Sequence, residues 1–149
     1  MMSPPPCPDP AALLERLKEL TGQWSGVRPD GREVGVSYRS TALGSALVET
    51  WQLGPGVEAL TVYHCDGADL MVTHFCPLGN QPRLRLSRCE GDRLHFGYQD
   101  ASGLAPGAAH QLSFWLGLIA PDAFEREEIY GGGDEPDERE YIRYRRIGA

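Results

Sequence analysis

Residues 61–76, TVYHCDGADLMVTHFC, contain two histidines and two cysteines on either side of one Asp-Gly turn. Histidine and cysteine bind metals, transfer protons near neutral pH and act as nucleophiles. The stretch is therefore a candidate metal or catalytic site, a candidate pocket lining, or ordinary core packing. The choice depends on which face of the strands carries each of the four residues, which are His64, Cys65, His74 and Cys76.

The register of two similar hairpins predicts these faces. CDGADL (65–70) and CEGDRL (89–94) match in spacing, and we interpret both as three-residue loops with a left-handed glycine. In the second hairpin this register pairs Leu86 with Phe96 and Leu84 with Tyr98 on one face. The same register in the first hairpin predicts an inward face of Leu60, Val62, His64, Leu70, Val72, His74 and Cys76, and an outward face that includes Thr61, Tyr63 and Cys65. A two- or four-residue loop would exchange the two faces of one strand.

The predicted spacing limits what the two histidines do together. His64 and His74 would lie roughly 13 Å apart along the strands, which is too far for one metal with bonds of about 2 Å. His74 and Cys76 are two residues apart on one face, so they can share a metal or form a Cys–His nucleophile pair. We favour a simpler interpretation, in which a hydrogen-bonded interior histidine lies beside a buried thiol.

Other polar residues are candidates for the interior. Glu49, in the run LVETW, alternates with Leu47 and Trp51. We favour an inward Glu49 opposite Val62, where the carboxylate needs a histidine or arginine partner or a proton. On the outward alternative it is a solvated strand residue. Further interior candidates are Tyr98, His110 and one of the C-terminal arginines.

The rest of the chain predicts an all-β protein. Asp9 and Pro10 open a helix over 10–21, with leucines 13, 14, 17 and 20 on one face. After Gly22 the period changes to two. The predicted strands are 23–29, 33–42, 45–53, 57–65, 69–76, 82–89, 93–100, 110–119, 123–130 and 138–147. Short turns between them favour an antiparallel up-and-down β-barrel of about ten strands with one N-terminal helix. We expect a disordered Pro-rich arm over 1–8 and a single domain over 9–149.

Composition excludes several classes of protein. The net charge of −7 and pI of about 5.0 disfavour nucleic-acid binding, since phosphate contacts need clustered Lys and Arg. The N-terminus lacks the pattern of a secretory signal, and no apolar run is long enough to span a membrane. We therefore expect a cytoplasmic protein with no membrane partner and with four free thiols at Cys7, Cys65, Cys76 and Cys89. No CxxC pair is present, and no metal or other cofactor is predicted.

Two runs resemble known barrels. LTGQWSGV (20–27) resembles the L-x-G-x-W entry into the first strand of lipocalin-like, or calycin, β-barrels. The resemblance implies that Trp24 packs at the closed end against a basic residue such as Arg143 or Arg145. THFCPLGNQPRL (73–84) resembles a run in uncharacterised bacterial lipocalin-like proteins. Ten strands are more similar to fatty-acid-binding proteins and nitrobindins than to secreted lipocalins.

The ligand-binding residues of fatty-acid-binding proteins and nitrobindins have only partial counterparts in this sequence. Fatty-acid-binding proteins hold a carboxylate with an R-x-Y element, whose spacing Arg139-Glu140-Tyr141 shares. Nitrobindins bind haem through a late histidine, and this chain has no histidine after His110.

Three functions follow as hypotheses. We favour a barrel that binds a small hydrophobic or amphipathic molecule, mostly apolar with one polar or acidic group, over a barrel whose interior side chains fill it. The alternatives are an enzyme that uses interior Glu, His and Cys, and a metal or haem carrier. The outer face is rather apolar, which is consistent with a homodimer. The predicted ligand-binding residues are Glu49, Trp51, Val62, His64, Val72, His74, Cys76, Phe96, Tyr98 and Phe114.

Overall fold

The computed structural model describes residue 3 and residues 6–149. The described residues form ten strands and one α-helix, as predicted, but the helix ends at Leu17 rather than at residue 21 and continues as a 3₁₀ turn over Lys18–Leu20. A second 3₁₀ turn, Ala42–Gly44, lies between two strands. The helix α1 is Pro10–Leu17, and the strands are β1 Gly22–Val27, β2 Glu33–Thr41, β3 Ala46–Gly54, β4 Val57–Asp66, β5 Asp69–Phe75, β6 Gln81–Glu90, β7 Arg93–Ser102, β8 His110–Ala120, β9 Ala123–Gly131 and β10 Glu138–Gly148.

The ten strands form a closed antiparallel barrel. Each strand pairs with its neighbours in sequence, and β1 pairs with β10 to complete the ring. This is the up-and-down topology that the short turns predict, and closure leaves no long sheet edge for another chain to pair with. None of the described residues forms a helix with the length and hydropathy that crossing a bilayer requires.

Helix α1 covers one end of the barrel, which we call the closed end. The Asp9 carboxylate accepts a hydrogen bond from the Ala12 amide at 3.4 Å, and Pro10 occupies the first turn. Leu13, Leu14 and Leu17 are buried, and the helix contacts β3, β4 and β5. The opposite end, which we call the mouth, carries the β1–β2, β3–β4, β5–β6, β7–β8 and β9–β10 links.

Trp24 lies at the closed end, as its resemblance to the lipocalin-like barrels implies. Its indole Nε1 donates to the Leu20 carbonyl at 2.8 Å, and a guanidinium stacks 4.3 Å from the ring centroid. That guanidinium belongs to Arg146 rather than to Arg143 or Arg145. The prediction of a cation–π contact from the last strand is confirmed, and the predicted residues are wrong because the inward face of β10 is the even-numbered one.

The first hairpin has a different register from the predicted one. Asp66 pairs with Asp69, so the loop is the two-residue turn Gly67-Ala68, in which Gly67 alone has a positive φ of 58°. The left-handed glycine at the first central position is the pattern of a type II′ turn. This loop pairs odd residues of β4 with even residues of β5, so the faces predicted for β5 hold and those predicted for β4 are reversed.

The reversal on β4 corrects two predicted ligand-binding residues. The inward side chains are Ala59, Thr61 and Tyr63, whereas Val62 and His64 face outward and are half-buried. The His64 ring nitrogen Nδ1 makes a local contact with the Cys65 carbonyl at 3.1 Å.

The second hairpin explains the error. Its loop also has two residues, Gly91-Asp92, but a bulge places Ser87 as an extra residue on β6. The bulge restores the predicted pairs of Leu86 with Phe96 and Leu84 with Tyr98. The first hairpin has no such bulge, so its register differs even though the turn sequences are similar.

A disulfide between Cys7 and Cys89 contradicts the prediction of four free thiols. The Cα atoms of the two residues are 5.3 Å apart, and the bond ties the segment before α1 to the end of β6. Cys65 and Cys76 are free, and Cys65 packs against the core rather than facing outward. Residues 1, 2, 4 and 5 of the predicted arm lie outside the described residues, and the disorder of that arm stays a prediction.

Aromatic side chains fill the closed half of the barrel. Phe96 and Phe114 stack with their centroids 4.7 Å apart, and Tyr63 packs edge-on against both. Phe124 packs edge-on against Trp24 at 4.8 Å. The filled-barrel alternative is therefore correct for this half of the interior.

We predict that the unfolded, unreduced protein exposes two free thiols and the reduced protein four. Thiol titration in denaturant measures both counts. Because the bond closes a long loop, Cys7→Ser should lower the free energy of unfolding by about 2–4 kcal/mol. Four thiols before reduction would contradict the pairing.

Candidate functional site

The mouth half of the barrel contains a cavity of about 650 Å³. Its wall on β2, β3 and β4 is apolar, with Val34, Trp51, Leu53 and Ala59. Its wall on β9 and β10 is mostly polar. The remaining lining residues are Arg28, His74, Cys76, Pro77, Leu78, Arg126, Glu128, Tyr130, Glu138, Arg139, Glu140 and Tyr144. The cavity is thus amphipathic, with apolar and polar side chains segregated on different strands.

A fully buried carboxylate lies beneath the cavity. Glu49 on β3 accepts hydrogen bonds from Tyr38 at 2.8 Å, Tyr63 at 2.6 Å and the Trp51 indole at 2.6 Å. The pKa values of both tyrosines are raised well above their usual range, first by burial and then by the Glu49 charge. The tyrosines therefore stay protonated as donors, and no carboxylate oxygen is left without a partner.

Arg126 on β9 completes this cluster from across the lumen. Its Nη1 lies 3.4 Å from Glu49 Oε2, and its Nη2 contacts Glu128 at 3.1 Å. The guanidinium also stacks over Phe114 at 4.3 Å and Trp51 at 4.7 Å. Burial acts to lower the pKa of Arg126, but Glu49 and Glu128 outweigh it and raise this pKa above its usual value. A permanent cation thus separates the aromatic half of the lumen from the cavity.

His74 on β5 makes a second contact across the lumen. Its Nδ1 lies 2.9 Å from the Thr61 hydroxyl and its Nε2 lies 2.9 Å from the Tyr130 hydroxyl. Burial, and then the Arg126 charge, lower the pKa of His74 to about 4, against the opposing effect of Glu49 and Glu128. His74 is therefore inward as predicted, and neutral at pH 7.

The arrangement does not favour a Cys–His nucleophile pair. Both nitrogens of His74 already have partners, so neither is directed at the Cys76 thiol. Burial raises the pKa of Cys76, which keeps the thiol protonated near neutral pH. Among the described residues, no three His, Cys, Asp or Glu side chains are grouped to bind a metal ion.

The predicted ligand-binding residues divide into three groups. Trp51, His74 and Cys76 line the cavity. Glu49 is inward and does not line the cavity, but it pairs with Arg126, which does. Val72, Phe96 and Phe114 are buried inside the barrel but do not line the cavity. Tyr98 is exposed beside His110 and does not line the cavity, and Val62 and His64 face outward.

The sequence analysis missed the polar wall. Arg126, Glu128 and Tyr130 alternate inward along β9, and Glu140 lies on the inward face of β10. The R-x-Y element does not present both side chains to the cavity, because Arg139 borders it and Tyr141 does not. Tyr141 donates to Glu125 at 2.5 Å on the outer face, and Arg139 pairs with Glu127. Phe124, Arg126, Glu128 and Tyr130 alternate inward along β9, but the charged residues between them mask this pattern in the sequence.

Comparison with known proteins supports the fold. No protein-family model matches the chain, and no curated protein matches it significantly. The crystal structure of Rv2717c from M. tuberculosis is similar over 96% of this chain and 99% of its own, with a TM-score of 0.58 and 21% sequence identity. A DUF3598-family protein of unknown function from Nostoc punctiforme aligns over 88% of this chain and 48% of its own, with a TM-score of 0.45 and 14% identity. At such identities, similarity to Rv2717c bears on the barrel fold alone.

We predict that Arg126→Met lowers the free energy of unfolding by about 3–5 kcal/mol, because the Glu49 charge is left buried without its counter-ion. Urea unfolding measures the change. The matched control is Arg83→Met, which breaks an exposed pair with Asp100 on the outer wall and should cost about 0–1 kcal/mol. Equal effects of the two substitutions would contradict the role of the buried pair.

We also predict that His74 makes the protein less stable as the pH falls from about 6.5 to about 4. In this window the unfolded state binds a proton that folded His74 excludes, so stability rises with pH. The effect amounts to a few kcal/mol, at about 1.4 kcal/mol per pKa unit. The difference in unfolding free energy between the wild type and His74→Gln should shrink as the pH falls through this window. A pH-independent difference would refute the prediction.

Proposed function

We propose that the protein binds a small, mostly apolar molecule with one polar group in the mouth-half cavity. The observation that carries the proposal is the segregated lining, with apolar side chains on β2–β4 facing polar ones on β9–β10. Ligand pockets commonly have about 300–1,000 Å³, apolar walls and a few polar groups that orient the ligand. The cavity has these properties, and its polar groups are rigidly held.

The rigidity follows from the contacts below and beside the cavity. Arg126 is fixed by two carboxylates and two aromatic rings, and His74 is fixed at both ring nitrogens. A preorganised polar wall loses little side-chain entropy when a ligand binds. A catalytic function would need a group free to exchange protons with a substrate, and the bonded His74 and the protonated Cys76 favour binding over catalysis.

We also propose that the protein is related to the lipocalin-like barrels. Two features support this relationship: Trp24 packed between Leu20 and Arg146 at the closed end, and ten strands in up-and-down order. The polar group of the ligand is oriented by Tyr130, which is held by His74, and by the carboxylates of Glu128 and Glu140. Glu49 is a support for Arg126 rather than a ligand contact, because its oxygens are already occupied within the barrel.

We predict that the neutral fluorescent probe N-phenyl-1-naphthylamine binds saturably in the cavity, with energy transfer from Trp51. Ala59→Phe projects a ring into the cavity and should weaken binding by about tenfold or more, equivalent to about 1.4 kcal/mol. The matched control is Glu58→Phe, which places the same ring on the outer face of the same strand. No saturable binding, or equal weakening in both variants, would refute the proposed function.

A further inference from the structure

The polar wall of the cavity contains two carboxylates directly opposite each other. Glu128 on β9 and Glu140 on β10 are partners in the antiparallel ladder, and both line the cavity. Side chains at such positions have Cβ atoms about 4.5–5.5 Å apart, and like charges placed there destabilise a sheet. A barrel with no use for this pair would be more stable with either residue neutral.

The nearby arginines do not neutralise the pair. Arg126 is shared between Glu128 and the buried Glu49, so it is already matched by a carboxylate. Arg139 pairs with Glu127 on the outer face, and Arg32 pairs with Asp30 at 2.8 Å.

Glu140 is left with little compensation. Among the described residues it has no hydrogen-bond or ion-pair partner, and Arg28 is the one cation near it that no carboxylate holds. Burial, opposed by Arg28 and reinforced by Glu128, raises the pKa of Glu140. With Arg28 counted, the five charges of Glu49, Glu128, Glu140, Arg126 and Arg28 leave an excess of one negative charge.

The side chain behind Glu128 is a buried amide that does not line the cavity. Gln111 is fully buried, and its Nε2 contacts Glu128 at 3.4 Å. Its Oε1 is buried with no hydrogen-bond partner among the described residues. His74 is neutral and committed to Thr61 and Tyr130. Apart from Arg28, the guanidinium groups that line the cavity are held by carboxylates, whereas Glu140 has no partner. This arrangement is the complement of a ligand that brings N–H groups and a positive charge.

Two aromatic side chains of the cavity lining also suit a cation, and Arg126 already covers one of them, Trp51. Trp51 and Tyr144 lie edge to face with their centroids 5.6 Å apart, and both line the cavity. Aromatic faces attract cations within about 6 Å. A carboxylate in the same place would meet Glu128 and Glu140, with Arg28 as the one guanidinium there that no carboxylate holds.

We propose, on the basis of the proposed function, that the polar group of the ligand is a cation such as a protonated amine, held between Glu128 and Glu140, and that carboxylate-headed ligands are selected against. The excess charge of the wall and the unpartnered Glu140 carry this assignment. The ligand class is thus an amphipathic amine with an apolar body on the β2–β4 wall.

The test is displacement of N-phenyl-1-naphthylamine by three molecules of equal chain length: octylamine, octan-1-ol and octanoate at pH 7. Octylamine should displace the probe at least tenfold more tightly than octanoate, with octan-1-ol between them. Glu140→Gln should reduce the ratio of amine to octanoate affinity by about tenfold, equivalent to about 1.4 kcal/mol. Because this change removes a like-charge pair, the variant should fold at least as stably as the wild type. Glu58→Gln, with the same change of charge on the outer wall, should leave the ratio unchanged.

The outcomes separate this inference from the proposed function. Probe binding with octanoate or octan-1-ol equal to or tighter than octylamine would overturn the cation assignment and leave the binding function intact. An amine preference that Glu140→Gln does not alter would overturn the role of the carboxylate pair. Failure of the probe itself to bind would refute the proposed function first.

Discussion

The buried ion pair between Glu49 and Arg126 is the contact around which the interior is organised. It joins β3 to β9 across the lumen, with both side chains almost completely removed from water. Burying two charges costs several kcal/mol for each ion, and the attraction between them offsets this cost only when further hydrogen bonds satisfy the charged groups. Tyr38, Tyr63 and Trp51 supply those bonds to the carboxylate. The rings of both tyrosines pack against the phenylalanines of the closed half, and this packing holds their hydroxyl groups against Glu49.

The pair also determines where the empty space lies. Below it, rings from β7, β8 and β9 pack against each other, whereas above it the inward side chains of β9 and β10 are mostly polar and surround the cavity. The guanidinium stacks over Phe114 and Trp51, so it lies between the aromatic core and the cavity that Trp51 lines. A barrel with an aliphatic residue at position 126 would have no reason to retain Glu49, and its aromatic packing could extend toward the mouth.

The sequence predicts the architecture of this chain better than its site. Ten strands and the opening of the helix follow from local signals: alternating apolar residues, Gly-containing turns, and Asp9-Pro10 as a helix start. Which side chains of β4 face inward depends on whether the β4–β5 turn contains two residues or three. A bulge at Ser87 restored the assumed register in one hairpin, and nothing in the sequence distinguishes that hairpin from the one without a bulge. The inward positions of His74 and Glu49 were predictable, whereas their partners Thr61 and Arg126 come from other strands and required the register. The run FEREEIY hid the polar wall because charged residues occupy both faces of β9, so alternation gave little contrast.

The position of the cavity has a kinetic consequence. Helix α1 and the aromatic half obstruct one direction, so the ligand that we propose would enter and leave past Arg28, Leu78 and Glu138 at the mouth. Loading is then a single-file process, in which an occupant must depart before another molecule reaches the same wall. The residence time of the ligand would depend on how readily the loops around the mouth separate. It would also depend on the strength of the contacts between the ligand and the cavity wall. A barrel of this shape exchanges its contents more slowly than an open groove of equal affinity.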